Sequence, residues 1–378
     1  MNPCWRLRLP VRSFRVPRYP TTASRRFNSS KTSDPLRILF CGSDDFSIAS
    51  LRAVHAEHLF DPGAIASIDV VHRPGKLTGR GLKQLREVPI KKVAQELKLP
   101  THEIDTFTGW TPPSPQNEAI NLIIAVSFGK LVPPRILNGA KYGGLNVHPS
   151  LLPDFRGPAP IHYTLLAARP ATGLTIQTLH PTTFDAGLIL AQTPAPGLPI
   201  PNPSACSPAQ LTAFLAPRGG ALLVDVLRRK LFVPPLEAAG WYAKQTPQAE
   251  LRHAPMITKE DGRIRWERCG ADELVLRRRV LENLWTTVRV GGEEKRLVIH
   301  GLASIRESPE NAAARGVGEF FACKAPEGTV LEGGLPAGDT EFLAARTVDG
   351  GCVLVTRCTV EGGKRDKGAG VVLQHLAR

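Results

Sequence analysis

The sequence predicts an α/β fold: a mostly parallel sheet covered by helices, followed by a small β-rich domain with the character of a barrel. Three observations carry this. Apolar runs without alternation, such as NLIIAVSFG at 121–129, suit central parallel strands that are buried on both faces. Those runs alternate with segments of helical periodicity, which is the pattern of a strand-helix-strand sheet. Beyond residue 256 the chain changes to short alternating segments spaced by glycine turns, which suits a small antiparallel barrel.

The first folded element is LRILFCGSDDFSIASLRAV (36–54): an apolar run, a turn at Gly42, then Phe46, Ile48, Leu51 and Val54 at roughly helical spacing. A short strand, IDVVH (68–72), breaks into a basic, glycine-punctuated loop, and IKKVAQELKLP (90–100) is helical again. GLNVH (144–148) is the next strand after 121–129. A proline loop, a helix near 161–168 and the strands LTIQTLH (174–180) and LILAQT (188–193) complete the sheet. Proline-rich patches on either side of a helical stretch between 194 and 255 mark the domain's last helix and a linker. In the second domain the strands are expected at 295–302, 327–334 and 351–360. The boundaries expected are 1–33 for a leader, 34–235 for the first domain, 236–255 for the linker and 256–378 for the second domain.

A chain of 378 residues can bury two cores of ordinary size. No apolar run approaches the roughly 18–20 residues of a membrane span, so no membrane role is expected. The formal charge of +14 invites a nucleic-acid reading, but its distribution qualifies that. Residues 1–31 hold seven arginines and Lys31 with no acid before Asp34, the composition of a mitochondrial or plastid transit peptide; a basic tail that grips nucleic acid is the alternative. With those eight cations set aside, +14 falls to +6. Seven cysteines, with no Cys-x-x-Cys pair, argue against a disulfide framework or a zinc knuckle and fit a reducing compartment. The ten histidines show no ligand spacing, so no metal is expected.

The chemistry is concentrated in GGLNVHPSLLPDFRGPAPI (143–161). Asn146 and His148 are two apart on a strand and therefore share a face, at the carboxyl end where open α/β sheets bind ligands. An amide donor beside an imidazole can stabilise a carbonyl oxygen as it gains charge, and histidine can also relay a proton. Between Glu118 and Asp225 the only acids are Asp154 and Asp185, so one of these two is the candidate partner of the imidazole. On spacing alone such a pair is more often a turn-capping amide and a satisfied histidine than a catalytic pair.

The segments FCGSDDFS, RPGKLTGRGLK, AVSFGKLVPP, GLNVHPSLLPDFRGPAPI, FDAGLIL, ITKEDGRIRW and VEGGKRDKGAGVVLQ, in this order, closely resemble the folate-dependent formyltransferase family. The resemblance covers nearly everything after the leader. It implies a Rossmann-like formyltransferase domain with an OB-like second domain, and Asn146, His148 and Asp185 as the catalytic set. Ser150, Leu151, Leu152, Pro153 and Phe128 are implied at the folate site. The donor implied is 10-formyltetrahydrofolate, used as a cosubstrate, and the acceptor is initiator methionyl-tRNA; the enzyme is expected to act as a monomer in the mitochondrial matrix. Formylation of a small amine, hydrolysis of formylfolate, and an inactive RNA-binding homologue are the alternatives. The sequence departs from the family pattern at Asp154, where relatives usually carry a basic residue, and at Phe128, where tyrosine is common.

The second domain carries nineteen Lys and Arg against eighteen Asp and Glu, so tRNA contact there needs local clusters. The candidates are Lys76, Arg80 and Lys83 with Arg73 in the glycine loop, Arg277 to Arg279, and Lys364, Arg365 and Lys367. The glycine loop is favoured, because in the resembled family a basic loop reaches the acceptor arm.

Overall fold

The computed structural model describes residues 31–305, 312–324 and 341–376, without the side chain of Arg80. Most of the 1–33 leader and the strand expected at 327–334 lie outside the described residues. The chain opens with β1 (Leu36–Gly42), α1 (Asp45–Phe60) and β2 (Ile65–His72). A small hairpin of β3 (Lys76–Thr78) and β4 (Gln84–Arg86) leads to α2 (Pro89–Glu96) and β5 (Thr101–Glu103). There follow β6 (Leu122–Val126), α3 (Pro134–Leu137), β7 (Gly144–His148), α4 (Pro160–Leu166) and β8 (Ala171–Thr172). The first unit ends with β9 (Thr175–Thr178), β10 (Ile189–Gln192), β11 (Leu198–Pro199) and α5 (Pro208–Arg228).

The sheet runs in the order β10-β9-β7-β6-β1-β2-β5. The strands from β7 to β5 are parallel, whereas β9 runs antiparallel to β7, and β10 antiparallel to β9. The lack of alternation in the central strands has a direct cause. Ile38, Phe40, Leu122 and Ile124 enter a core on one face, while Leu39, Cys41, Ile123 and Ala125 enter a second core on the other. Each of the Ile, Leu and Phe side chains so removed from water contributes about 1.5–3 kcal/mol.

The helices are anchored by local signals. Asp44 caps α1, its Oδ1 accepting the Ser47 N–H at 3.0 Å. Ser207 and Gln210 form a reciprocal capping box at the start of α5, with Pro208 at the first helical position. Arg228 at the end of α5 forks onto Glu57 of α1 at 2.8 and 2.6 Å, tying the two helices together across the core surface.

Residues 236–255, expected as a linker, are docked on the first unit. Within them is α6 (Tyr242–Gln245); the Ala239 N–H reaches the Ile189 carbonyl at 2.8 Å, and Trp241 Nε1 the Thr193 carbonyl at 2.8 Å. Beyond lie α7 (Ala271–Leu281), β12 (Leu284–Val290), β13 (Glu293–Ile305), β14 (Phe320–Lys324), β15 (Glu341–Arg346), β16 (Cys352–Val360) and α8 (Gly368–Leu376). The five strands form one antiparallel sheet in the order β12-β13-β16-β15-β14. Val280 of α7 joins the core of the first unit, so the two units share an apolar contact. Among the described residues, no helix is long and apolar enough to cross a membrane.

Ile124 is fully buried at the centre of β6. Ile124→Ala should lower unfolding free energy by about 2–5 kcal/mol in urea titration, since the surrounding sheet cannot collapse into the space left.

Candidate active site

The chain crosses from one half of the sheet to the other between β1 and β6, and ligands of open α/β sheets bind outside the carboxyl ends at such a switch. A cavity of about 470 Å³ lies there, with Asp44 after β1, Phe128 after β6, and Asn146 and His148 of β7 among its walls. Asp185, from the loop between β9 and β10, and Met256 complete it. Two separate segments, β7 and the β9–β10 loop, thus bring the expected catalytic residues to one space.

His148 is buried and held at both ring nitrogens. Nε2 lies 2.9 Å from the Phe155 carbonyl oxygen, and because a carbonyl can only accept, Nε2 carries the proton in this bond. Nδ1 faces Asp185 Oδ1 at 3.4 Å, a looser approach. Of the two candidate acids, the imidazole therefore faces Asp185. Asp154 turns away to Arg169 and the backbone of Arg252.

Asp185 is fixed from three sides. Its Oδ2 accepts the Gly157 N–H at 2.9 Å, and its Oδ1 accepts Gln177 Nε2 at 3.0 Å as well as facing the imidazole. Its own φ of 53° is left-handed, a conformation that costs a non-glycine residue about 1–2 kcal/mol and needs such contacts to persist. Two residues on, Gly187 lies so close to β9 that a Cβ there would be 1.7 Å from the Thr178 carbonyl oxygen. The loop can return over the strand end only with glycine at this position.

Gln177 joins the set, and the sequence reading missed it. It is buried on β9 directly opposite Asn146, so the two side chains share a face. Its Nε2 donates to Asn146 Oδ1 at 3.1 Å and to Asp185 Oδ1, while its Oε1 accepts the Gly187 N–H at 3.2 Å. One amide thus links two of the expected catalytic residues. Asn146 Nδ2 donates to the Ala125 carbonyl at 2.9 Å, which leaves the second N–H of that amide without a partner among the described residues. The signal for Gln177 was the polar Thr-x-Gln alternation in LTIQTLH, which reads as a solvated face unless the strand is paired with NVH.

Two further cavity residues are electrostatically unusual. Burial pushes the Asp44 carboxyl above its ordinary value, against the opposing pull of the Ser47 amide. Burial likewise holds the His162 imidazole below its ordinary value. Among the described residues, no group of three His, Cys, Asp or Glu could hold a metal ion.

The residues expected at the folate site divide. Phe128 is a cavity wall, but Ser150, Leu151, Leu152 and Pro153 are not. They are consumed in holding the proline loop. The Ser150 hydroxyl donates to the Asp154 carbonyl at 2.6 Å, and the Leu152 carbonyl accepts Gln192 Nε2 at 2.8 Å; Leu151 is buried and Pro153 half-buried. Among the basic candidates, Lys76 and Lys83 are exposed on the β3–β4 hairpin, and Lys364, Arg365 and Lys367 are exposed in the turn after β16. The side chain of Arg80 lies outside the described residues. Arg277 to Arg279 are a correction: Arg277 donates to the Asp261 and Arg263 carbonyls, Arg278 to that of His300 and Arg279 to that of Ser204. These guanidinium groups hold the fold and its domain contact instead of forming a phosphate site.

Residues 36–205 match the Formyl transferase family. The chain is 36% identical over 284 residues to the mitochondrial methionyl-tRNA formyltransferase of Saccharomyces cerevisiae, covering 66% of this chain and 68% of that one. With the human mitochondrial methionyl-tRNA formyltransferase it is 32% identical, across 66% of this chain and 58% of the human one. The methionyl-tRNA formyltransferase of Paracoccus denitrificans is 30% identical, with 72% of this chain and 85% of that one aligned. The chain thus spans less than two thirds of its human relative. Among solved structures it resembles an N-formyltransferase from Helicobacter canadensis in complex with folinic acid and dTDP-3-aminofucose. That match has a TM-score of 0.50 and 13% identity over 85% of this chain and 98% of that one, and it speaks to the fold. Taken with the site geometry, the yeast and bacterial matches show that the chain belongs to the methionyl-tRNA formyltransferase family.

Proposed function

We propose that this chain transfers the formyl group of 10-formyltetrahydrofolate to the free α-amine of methionyl-tRNA, acting as a monomer in the mitochondrial matrix. The observation that carries the reading is the Asn146, His148 and Asp185 set converging on one cavity at the switch point of the sheet. The cavity suits such a donor: Phe128 and Met256 offer apolar walls for a flat ring, and the second Asn146 N–H offers a donor for its carbonyl oxygen.

The donor supplies a carbonyl carbon on a nitrogen leaving group; the chain supplies the charge and proton management. As the amine attacks the formyl carbon, charge builds on the formyl oxygen, and the Asn146 amide stabilises it. His148 Nε2 is committed to Phe155, so the working nitrogen is Nδ1, at the looser 3.4 Å contact. Nδ1 and Asp185 together take the proton that the amine loses and return it to the departing folate nitrogen. The carbon–nitrogen bond to the donor breaks as the new amide bond forms, so the proton count closes. The charge stabilisation expected of Asn146 and His148 together thus divides, with the oxygen held by Asn146 and the proton moved by His148.

For the rest of the chain, residues 1–33 act as the import leader, 34–235 as the catalytic unit, 236–255 as the connection and 256–378 as the tRNA-contacting unit. An OB-like barrel in the last is supported by α8, which touches both β12 and β14, the two edge strands of the described sheet. Lys76, Arg80 and Lys83 would meet the acceptor arm, with Lys364, Arg365 and Lys367 meeting backbone phosphates further along. Ser150 to Pro153 serve the folate site by fixing its loop.

Purified chain supplied with 10-formyltetrahydrofolate should formylate methionyl-tRNA and leave glycinamide ribonucleotide unchanged. Preference for the small amine in the same assay would refute the acceptor. His148→Ala should lower kcat by about 10²–10³ with an unchanged circular dichroism spectrum, and parental turnover would remove the imidazole from the mechanism. Gln177→Leu should lower kcat about tenfold or more while the melting temperature stays within a few degrees. A loss confined to KM would contradict its role in holding Asn146 and Asp185.

A further inference from the structure

Asp154 has no part in the chemistry above, yet it is buried with both carboxylate oxygens engaged. Oδ1 accepts the backbone N–H of Arg252 at 2.8 Å. Oδ2 accepts from Arg169 Nη2 at 3.1 Å and from the Tyr242 hydroxyl at 3.4 Å. Two of these three partners, Tyr242 and Arg252, lie in the segment that connects the two units.

The contact continues along the backbone. The Phe155 N–H donates to the Arg252 carbonyl at 2.7 Å, the Ala254 N–H to the Arg156 carbonyl at 2.8 Å, and the Ala159 N–H to the Ala254 carbonyl at 3.1 Å. Arg156 and His253 pair in parallel, so residues 252–254 lie as a short strand against the proline loop. Gly157, with φ 120°, closes the contact: a Cβ there would be 2.4 Å from the Ala254 carbonyl oxygen. The same stretch of loop holds the catalytic pair. The Phe155 carbonyl binds His148 Nε2, and the Gly157 N–H binds Asp185 Oδ2. Two residues past the ladder, Met256 is itself a cavity wall.

We propose that Asp154 is a positioning residue: it clasps residues 252–254 onto the proline loop and, through Phe155 and Gly157, sets the spacing of His148 and Asp185. Catalytic competence is thereby tied to the docking of the segment that leads into the second unit. The inference rests on the formyl-transfer reading for its kinetic arm only.

The test compares the full chain with Asp154→Ala, Asp154→Ser and Asp154→Asn. Alanine removes all three contacts. Serine has too short a reach for Arg252 and serves as the breaking variant if alanine does not fold. Asparagine keeps an acceptor for the Arg252 N–H. With methionyl-tRNA and 10-formyltetrahydrofolate, the breaking variant should lose about tenfold or more in kcat with both KM values changed less than about threefold, and asparagine should restore kcat to within about threefold of the parent. Amide hydrogen exchange gives an arm that needs no activity: exchange at Phe155 and Ala254 should quicken about tenfold or more in the breaking variant while β6 keeps its protection. Parental exchange at Phe155 and Ala254 overturns the clasp. Quickened exchange with parental kcat, or a loss confined to KM, overturns its link to the imidazole. Failure of the parent itself to formylate refutes the functional reading and leaves the exchange arm to decide the clasp.

Discussion

The hydrogen bond from His148 Nε2 to the Phe155 carbonyl constrains the rest of the site. It fixes which ring nitrogen carries a proton, and so leaves Nδ1 as the nitrogen that faces Asp185 across the cavity edge. An imidazole free to rotate at a strand end would spend most of its time in orientations that serve no transfer. Holding it by a backbone carbonyl costs no titratable group and adds no competing charge. The carbonyl is itself held, because Phe155 donates its own N–H to Arg252 in the connecting segment.

Around that bond the structure divides its tasks by element. The parallel strands β1, β6 and β7 bring three carboxyl ends together, and two cores on opposite faces of the sheet make that platform rigid. The antiparallel strand β9 then sets Gln177 opposite Asn146, and the tight return at Gly187 brings Asp185 back over the strand end. Rigid strands set the positions of Asn146, His148 and Gln177, whereas the two loops supply Asp185 and the carbonyl anchor. A site built in this way keeps its geometry only while both loops stay docked, which is why so many of its contacts are backbone N–H and carbonyl groups.

Much of the sheet was legible in the sequence, because short continuous apolar runs such as ILFC and LIIAV suit strands buried on two faces. Asn146 and His148 were legible as a pair through the two-residue period of a strand. Gln177 was not, because its role depends on the antiparallel register of β9 against β7, which is a property of pairing and not of either segment. The anchor at Phe155 is a backbone carbonyl and leaves no trace in residue type. Ser150 to Pro153, expected at the folate site, engage the loop's own contacts, since hydroxyl and apolar groups in a tight loop serve its internal contacts first. The proline and glycine content of 236–255 signals irregular backbone and a linker but not its docking, which rests on backbone groups such as the Ala239 N–H. Arg277 to Arg279 show the same gap for charge, because a run of guanidinium groups in sequence does not reveal that the carbonyls of the fold receive them.

The central claim is that the His148 imidazole, proposed as the proton relay, is anchored through Nε2 and works through Nδ1. Nitrogen-15 NMR of the chain labelled at histidine, with His148→Ala used to assign the ring, reads this directly. The account predicts that the Nε2 resonance of His148 is coupled to a slowly exchanging proton, and that binding of a folate donor analogue shifts the Nδ1 resonance more than that of Nε2. A bare Nε2 beside a protonated Nδ1 would contradict it.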